Sequence, residues 1–318
     1  MPEYGFEQKS FQSRKTNFVF FVLLVAVLFI WAILFSHDLG GLVQINLNTE
    51  LRMDFVNVGQ GDAIVIRTPG GKTYLIDGGT NLTLAEARRE NRELIQNYLR
   101  DLGITRLDGI VITHWHNDHL GGIIPVLRLY DVPRVWECPT DFDTDMYAKY
   151  EDLCRKKRIK RVSVQAGDVL EWGNELFVQA LHPDKKSRSN SYSDMNNMSI
   201  VLIIRYGKVQ TMLAGDIEEE AQFEVLKYGD GIKSQIIKIP HHGSDTSDYR
   251  PFIKTVSPET GVLMVGKNNP FKHPSDKTLM EYGVVGTKIY RTDRHGNIRL
   301  FIGGKTQKDY RFEVDRLI

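Results

Sequence analysis

Cysteine is almost absent: Cys138 and Cys154 are the only two in 318 residues. So few excludes a disulfide-built scaffold, and they lack the spacing of a cysteine metal site; a single bridge outside the cytosol is the most they allow. Charge of either sign in excess is also missing. The 41 Lys and Arg residues against 40 Asp and Glu leave a formal net charge of +1, so bulk attraction to nucleic acid or membrane is excluded and only a local patch can supply it. There is no Gly-rich P-loop, no Gly-x-Ser-x-Gly elbow and no Rossmann fingerprint, so nucleotide-driven and serine-hydrolase chemistries have no support. Internal repeats and low-complexity segments are lacking as well. What remains, with 42% apolar and 25% charged residues, is an ordinary globular composition. Its length fits two domains or one large α/β sandwich.

Histidine is scarce too, with nine in the chain, and this makes its distribution informative. Three of the nine fall in the hexapeptide His114-Trp115-His116-Asn117-Asp118-His119, beside a carboxylate. Imidazole and carboxylate suit zinc and its first-row neighbours, and a loop at a strand end can aim several such groups at one point. The strand-like run Leu107 to Ile112 supplies that strand end. The hexapeptide therefore reads as half of a two-metal hydrolytic site. Two cations ~3.5–4 Å apart can activate one water and stabilise the entering and leaving oxygens of a displacement.

Long hydrophobic runs are confined to one place, an unbroken apolar stretch from Phe18 to Phe35. At ~1.5 Å per residue a helix of this length covers most of a ~30 Å hydrocarbon core, and no small-residue cleavage site follows it. Lys9, Arg14 and Lys15 precede it and no Lys or Arg follows before Arg52. The positive-inside rule then expects a cytoplasmic tail over 1–17, a transmembrane anchor over 18–36, a linker over 37–50, and a hydrolase domain over 51–318 outside the membrane.

Within that domain the strand-like segments Arg52–Val58, Ala63–Thr68 and Thr73–Ile76 are separated by the turns Gly59-Gln60-Gly61-Asp62 and Pro69-Gly70-Gly71-Lys72. Asp62 and Asp77 sit at turn tips beside glycines that permit close backbone approach, each a turn former or a site residue. Helical spacing runs from Leu82 to Leu102 and again over Leu120–Tyr130, then over 141–157 and, in a Glu-rich stretch, over 216–228. Further strands are expected near 132–139, 177–181, 199–206, 209–214, 234–239 and 262–265, with a closing hairpin over 290–298 whose turn holds His295 in a structural role. Six of the seven residues Arg155–Arg161 are basic. That run is either a contact for a nucleic-acid backbone or a helix end whose cations complement its dipole, and the second reading is the simpler.

These residues carry a resemblance. The pattern His-x-His-x-Asp-His at His114, His116, Asp118 and His119 is that of the metallo-β-lactamase superfamily. More closely, the chain is similar to the ComEC-like branch, found in DNA-uptake competence proteins. It shares phrases like Val56-Asn57-Val58-Gly59-Gln60-Gly61-Asp62, Leu75-Ile76-Asp77-Gly78-Gly79, Leu213-Ala214-Gly215-Asp216 and Pro240-His241-His242-Gly243-Ser244. The resemblance spans about 51–303 and implies an αββα sandwich of α/β class. It implies that His114 and His116 hold one metal and that Asp118 and His119 hold another, with Asp118 a catalytic carboxylate. Asp216 would bridge the two, and one of His241 and His242 would complete the second site, the sequence leaving open which.

Many superfamily members supply one more histidine before the bridging Asp, where this chain has Asn196-Asn197-Met198-Ser199. The ComEC-like branch has a similar phrase there, so Asn196 and Ser199, with Asp62 and Asp77, are expected beside the metals or the substrate. His182 is a weaker substitute. Fewer nitrogen ligands make manganese a rival to zinc for the two divalent ions. A Ser/Asn-rich loop running to Asn197 is expected to reach the site rim. Lys272-His273-Pro274 resembles the branch's final loop, and His273 is a candidate to contact a substrate phosphate or protonate a leaving group. The expected function is a membrane-anchored phosphodiester hydrolase, with DNA as one substrate. The alternatives are a hydrolase of phosphocholine-like esters or other cell-envelope substrates, a β-lactamase-type amidase, and a metal-dependent binding module without catalysis.

Overall fold

The computed structural model describes residues 21–28, 49–90, 92–186 and 193–316. The chain divides into two compact units, Met1–Leu47 and Asn48–Ile318. Of the first, residues 21–28 are helical with exposed side chains, and the rest of the anchor expected over 18–36 lies outside the described residues. Among the described residues no helix is long and apolar enough to cross a membrane.

The second unit contains strands β1 (Leu51–Phe55), β2 (Ile64–Arg67) and β3 (Thr73–Ile76), helices α1 (Leu84–Glu90) and α2 (Ile95–Asp101), β4 (Gly109–Ile112), α3 (Asn117–Leu120), α4 (Ile123–Leu129), β5 (Arg134–Glu137), α5 (Asp145–Lys157) and β6 (Lys160–Ser163). Then follow β7 (Leu176–His182), β8 (Val201–Tyr206), β9 (Val209–Leu213), α6 (Glu219–Val225), β10 (Ile236–Lys238), α7 (Arg250–Val256), β11 (Thr260–Leu263), α8 (Asp276–Val284), β12 (Lys288–Arg291), α9 (Thr292–His295), β13 (Ile298–Ile302) and β14 (Tyr310–Val314). They form an eight-stranded sheet, β14-β13-β1-β2-β3-β4-β5-β6, and a six-stranded sheet, β12-β11-β10-β9-β8-β7. In each sheet an antiparallel half is joined to a parallel half, β3 to β6 in the first and β9 to β12 in the second.

Strand periodicity explains the layering. Successive residues of β8 point to opposite faces. Leu202 and Ile204 join the core shared with the first sheet, whereas Val201 and Ile203 join a second core with Phe252, Ile253 and Tyr282 of the helices α7 and α8. Ile236 and Ile237 of β10 divide in the same way, as do Val262 and Leu263 of β11. Such strands are buried on both faces, which is why they read as continuous apolar runs. Ile95 and Leu99 of α2, Ile123 and Leu127 of α4, and Tyr150 of α5 cover the other face of the first sheet. The result is the α/β sandwich with outer helices that the resemblance implies.

Several expected elements differ in detail. The helix expected over 82–102 is two, because the Glu93 N–H leaves the helical pattern and donates to Asn57 O at 2.8 Å. The Glu-rich helix starts at Glu219 and passes into a 3-10 segment, Leu226–Ile232. Residues Ser193–Met198 form a 3-10 helix anchored by the fully buried Met195 and Met198, so the end of the expected Ser/Asn-rich loop is held in the core; 187–192 lie outside the described residues. The hairpin expected over 290–298 is a crossover between sheets. β12 pairs with β11 and β13 with β1, and between them the helical turn α9 is closed by the Arg291 N–H donating to His295 Nδ1 at 2.9 Å. Cys138 and Cys154 are both buried and free.

Candidate metal centre

The parallel strands all end toward one rim, and their following loops bring the chemistry together, as in open α/β sheets generally. Asp77 follows β3, the histidine loop follows β4, Asp216 follows β9, the His241-His242 turn follows β10, and the 266–275 loop follows β11.

The histidine loop leaves β4 extended, so alternate side chains diverge. Trp115 is buried against Tyr147 and Tyr150, at ring distances of 4.7 and 5.4 Å, and its indole N–H donates to Thr140 O. That anchor turns His114 and His116 the other way, where His114 Nε2 lies 3.1 Å from His116 Nδ1. The opposite nitrogen of His114 is held by Thr113 Oγ1 at 3.1 Å and Ser199 Oγ at 3.2 Å. Asp118 and His119 fall in the short helix α3.

Close backbone approach fixes this loop against its neighbours. Gly61 has φ +127°, and a Cβ there would lie 2.2 Å from the Asp118 carbonyl oxygen, which accepts the Asp62 N–H at 3.1 Å. A Cβ at Gly122 would lie 1.9 Å from Gly78 O. Only glycine fits either position. Asp77, His241 and His242 take φ of 55°, 46° and 52°, left-handed conformations that cost free energy and are retained where surrounding structure enforces them.

Asp118, His119, Asp216 and His242 offer ligand atoms that all lie within 4.8 Å of one another. Asp216 Oδ2 is 3.1 Å from both His119 Nε2 and His242 Nε2, and His242 Nε2 is 3.3 Å from Asp118 Oδ2. His242 Nε2 is nevertheless buried without a hydrogen-bond partner, since its geometry toward those oxygens is not that of a donor. A buried nitrogen surrounded by carboxylates yet bonded to none suits a shared cation. Divalent metal therefore fits these residues, with His114 Nε2 and His116 Nδ1 as an adjoining nitrogen pair. Oδ1 of Asn196 is likewise buried and unpartnered.

The electrostatics agree. Burial works against charge on His119, but Asp216, Asp77 and Asp118 outweigh it and hold its imidazole well above the ordinary histidine range. Burial likewise opposes charge on His242, yet Asp216, Asp118 and Asp62 push its pKa up to about 10. Asp216 is held well below the carboxylate range because His242, His119 and Lys238 overcome its burial. His114, buried with His119 beside it, is pushed well below its ordinary value and stays neutral as a ligand must. The acidic groups thus favour positive charge at the centre of the cluster, which a bound cation would supply in place of protons.

Around the cluster, Asp77 accepts the Thr113 N–H and hydroxyl at 2.8 and 2.6 Å and lies 2.8 Å from His119 Nδ1. It orients the imidazole so that Nε2 faces inward, the arrangement that raises ligand basicity. Asp77→Ala is expected to weaken metal affinity about 10–100-fold. Chelator competition measures it, and an unchanged affinity would remove Asp77 from the site. Asp62 contacts the buried Lys238, and its Oδ1 lies 3.5 Å from His242 Nδ1. Ser199 Oγ also accepts the Asp216 N–H at 3.0 Å.

Of the expected residues, the structure separates His241 from the cluster: it lies at the rim, 3.1 Å from Glu218 and 3.2 Å from Thr246 Oγ1. Its neighbour is the one brought inward, with Nδ1 3.5 Å from Asp62 and 2.9 Å from Met264 O. Asn196 donates to Glu218 at 3.0 Å. His182 is buried outside the cluster, between Ser199 O and Glu224, each at 3.1 Å. His273 is half-buried at the rim, its ring 5.5 Å from that of His241, and burial with His241 and His242 nearby lowers its pKa to about 4. The basic run is largely consumed internally. Arg155 and Lys156 pair with Asp152, Lys157 donates to the carbonyls of Arg128 and Tyr130, and Arg161 pairs with Glu137 and Glu151. A cavity of about 630 Å³ lined by Lys72, Tyr74, Asp108, Arg134 and Trp136 opens at the start of the parallel strands, away from this chemistry.

Sequence reasoning missed Lys238. It is fully buried, and its ammonium donates to Gly215 O at 2.8 Å and Asp216 Oδ1 at 3.1 Å besides contacting Asp62. Its signal was a lone lysine inside the apolar strand Ile236-Ile237-Lys238-Ile239.

A sandwich whose strand-end loops converge on buried histidines and aspartates defines a metallo-hydrolase fold. Comparison with known proteins makes the assignment specific: the chain belongs to the metallo-β-lactamase superfamily, whose pattern matches residues 56–267, and within it to the ComEC-like branch. It is 30% identical over 263 residues to ComE operon protein 3 of Bacillus subtilis (strain 168), covering 80% of this chain and 33% of that protein. It is 27% identical to competence protein ComA of Neisseria gonorrhoeae, covering 81% of this chain and 33% of that one. The chain thus spans about a third of these relatives. A mutant of the β-hydroxylase CmlA shares the fold at a TM-score of 0.50 and 16% identity, over 78% of this chain and 53% of its own.

Proposed function

We propose that this chain is a membrane-anchored, two-metal phosphodiesterase acting on nucleic acid outside the membrane. The observation that carries the reading is the combination of a buried ligand cluster with exposed lysines in the loop at its rim. Lys267 and Lys272 are exposed in the 266–275 loop, and neither has a carboxylate partner among the described residues. A rim with unneutralised lysines favours an anionic substrate, and a phosphodiester is one. The competence-related names of the relatives supply the nucleic-acid part of the proposal, and the apolar stretch Phe18 to Phe35 supplies the anchor.

In this reading His114 and His116 would hold one divalent cation and Asp118, His119 and His242 the other, with Asp216 available as a ligand between them. Zinc or manganese, when bound there, would lower the pKa of a water and neutralise charge on phosphate oxygens. The protein's own part is positional. Asp77 fixes His119, Ser199 and Thr113 fix His114, and Lys238 holds one oxygen of Asp216 so that the other faces the histidines. His273, neutral near pH 7, would donate its one ring N–H to a phosphate oxygen and would not act as a charged acid there.

The test is metal analysis of the full-length chain with a panel of bis-p-nitrophenyl phosphate, DNA, phosphocholine esters and a cephalosporin. Two metals per chain and phosphodiester hydrolysis abolished by chelator are expected. Turnover confined to the cephalosporin or to phosphocholine esters would overturn the proposal.

A further inference from the structure

The loop after β11 carries a feature that metal chemistry does not need. Phe271 is 62% exposed at its tip, between the exposed Lys267 and Lys272. One exposed apolar side chain is ordinary by itself. This one is held out by a loop built to do so. The Asn269 side chain closes the loop with three hydrogen bonds, donating to Gly266 O at 2.9 Å and His273 O at 2.6 Å and accepting the His273 N–H at 3.0 Å. Asn268 and Lys272, on either side of Phe271, take φ of 54° and 61°, conformations that side-chain-bearing residues adopt only when the surroundings enforce them.

Both ends of the loop are tied to the loops that carry the centre. Gly266 donates to the Gln60 side chain at 3.1 Å, two residues before Asp62, and Ser275 donates to Gly243 O at 2.8 Å, next to His242. A relay of rings then leads from the cluster to the tip. His242 and His241 are 6.2 Å apart, His241 and His273 5.5 Å, and His273 and Phe271 5.7 Å with the ring planes only 30° from parallel. The aromatic tip is therefore held near the ligands, with two exposed lysines in the same loop.

We infer that Phe271 is a stacking platform for an unpaired nucleobase, and that the site takes single-stranded nucleic acid. An exposed π-face flanked by cations is what binds a strand without reading its sequence: bases stack on the ring and lysines meet the phosphates. Duplex DNA keeps its base faces stacked on one another, so a protruding ring has nothing to stack on until a base is unpaired. The inference rests on the phosphodiesterase reading and adds the form of the substrate.

Binding and turnover separate the two. Fluorescence anisotropy of a labelled oligothymidylate, with chelator present and the full-length chain in detergent, reads strand binding alone. Phe271→Ala is expected to weaken that binding roughly tenfold. Phe271→Trp is expected to restore it, and binding of a duplex is expected to stay the same. Binding of the single strand within twofold of wild type, or an equal loss on the duplex, overturns the inference. Turnover of methyl p-nitrophenyl phosphate, which carries no nucleobase, is measured on the wild-type chain loaded with manganese. Its absence overturns the phosphodiesterase reading itself, whatever the Phe271 variants bind.

Discussion

Asp216→Ala is expected to leave at most one metal per chain and to lower phosphodiesterase kcat/KM roughly a thousandfold or more, the several kcal/mol that a metal's charge stabilisation supplies. Among the described residues, Asp216 Oδ2 is the carboxylate oxygen that lies 3.1 Å from both His119 Nε2 and His242 Nε2, so its loss would take a ligand from the middle of the set. The backbone there has other anchors. Gly215 takes φ +54° and the Asp216 N–H donates to Ser199 Oγ at 3.0 Å, so the loop keeps its course without the carboxylate. Elemental analysis and turnover of bis-p-nitrophenyl phosphate check it together. Two metals and full activity in this variant would exclude the dinuclear arrangement.

The parts of this site legible in sequence were those made by neighbours along the chain. His114, His116, Asp118 and His119 announce themselves because four ligand-type residues crowd into one loop, and Asp77 because it ends an apolar run beside a glycine, whereas Asp216 was reached through the family resemblance. What stayed hidden depends on contacts between distant segments. His241 and His242 are chemically identical in sequence. The turn after β10, with left-handed backbone at both, directs His242 under the strands and His241 to the rim. The fold was legible where a short apolar run is bounded by turn residues, as in β3 and β8. It was misread over 290–298, since the choice between a hairpin and a crossover is made by which sheet edge accepts each strand. The helix expected over 82–102 failed for the same reason: the break is imposed by a hydrogen bond to Asn57, far away in sequence.

Lys238→Met is expected to destabilise the metal-free protein by about 3–5 kcal/mol, the cost of breaking a buried ion pair by removing one partner. That corresponds to a fall of roughly 10 °C in Tm for a domain of this size. Three oxygens, from Gly215, Asp216 and Asp62, surround an ammonium that has three protons to give, and all are buried. Burial opposes the charge on Lys238, and Asp62 and Asp216 more than restore it. Without the lysine, two carboxylates face each other in the core. Metal would change the size of the effect, because Asp216 belongs to the ligand cluster and a cation held there would compensate its charge. The loss in Tm is therefore expected to be clearly smaller in the metal-loaded protein than in the chelated one. Adding Asp62→Asn to Lys238→Met removes the second uncompensated carboxylate and is expected to recover part of the loss, so the two changes couple in a double-mutant cycle. Equal shifts with and without metal, together with additive single effects, would make Lys238 a packing residue. The coupled result makes it the fixed positive charge that holds Asp216 in place in the metal-free protein.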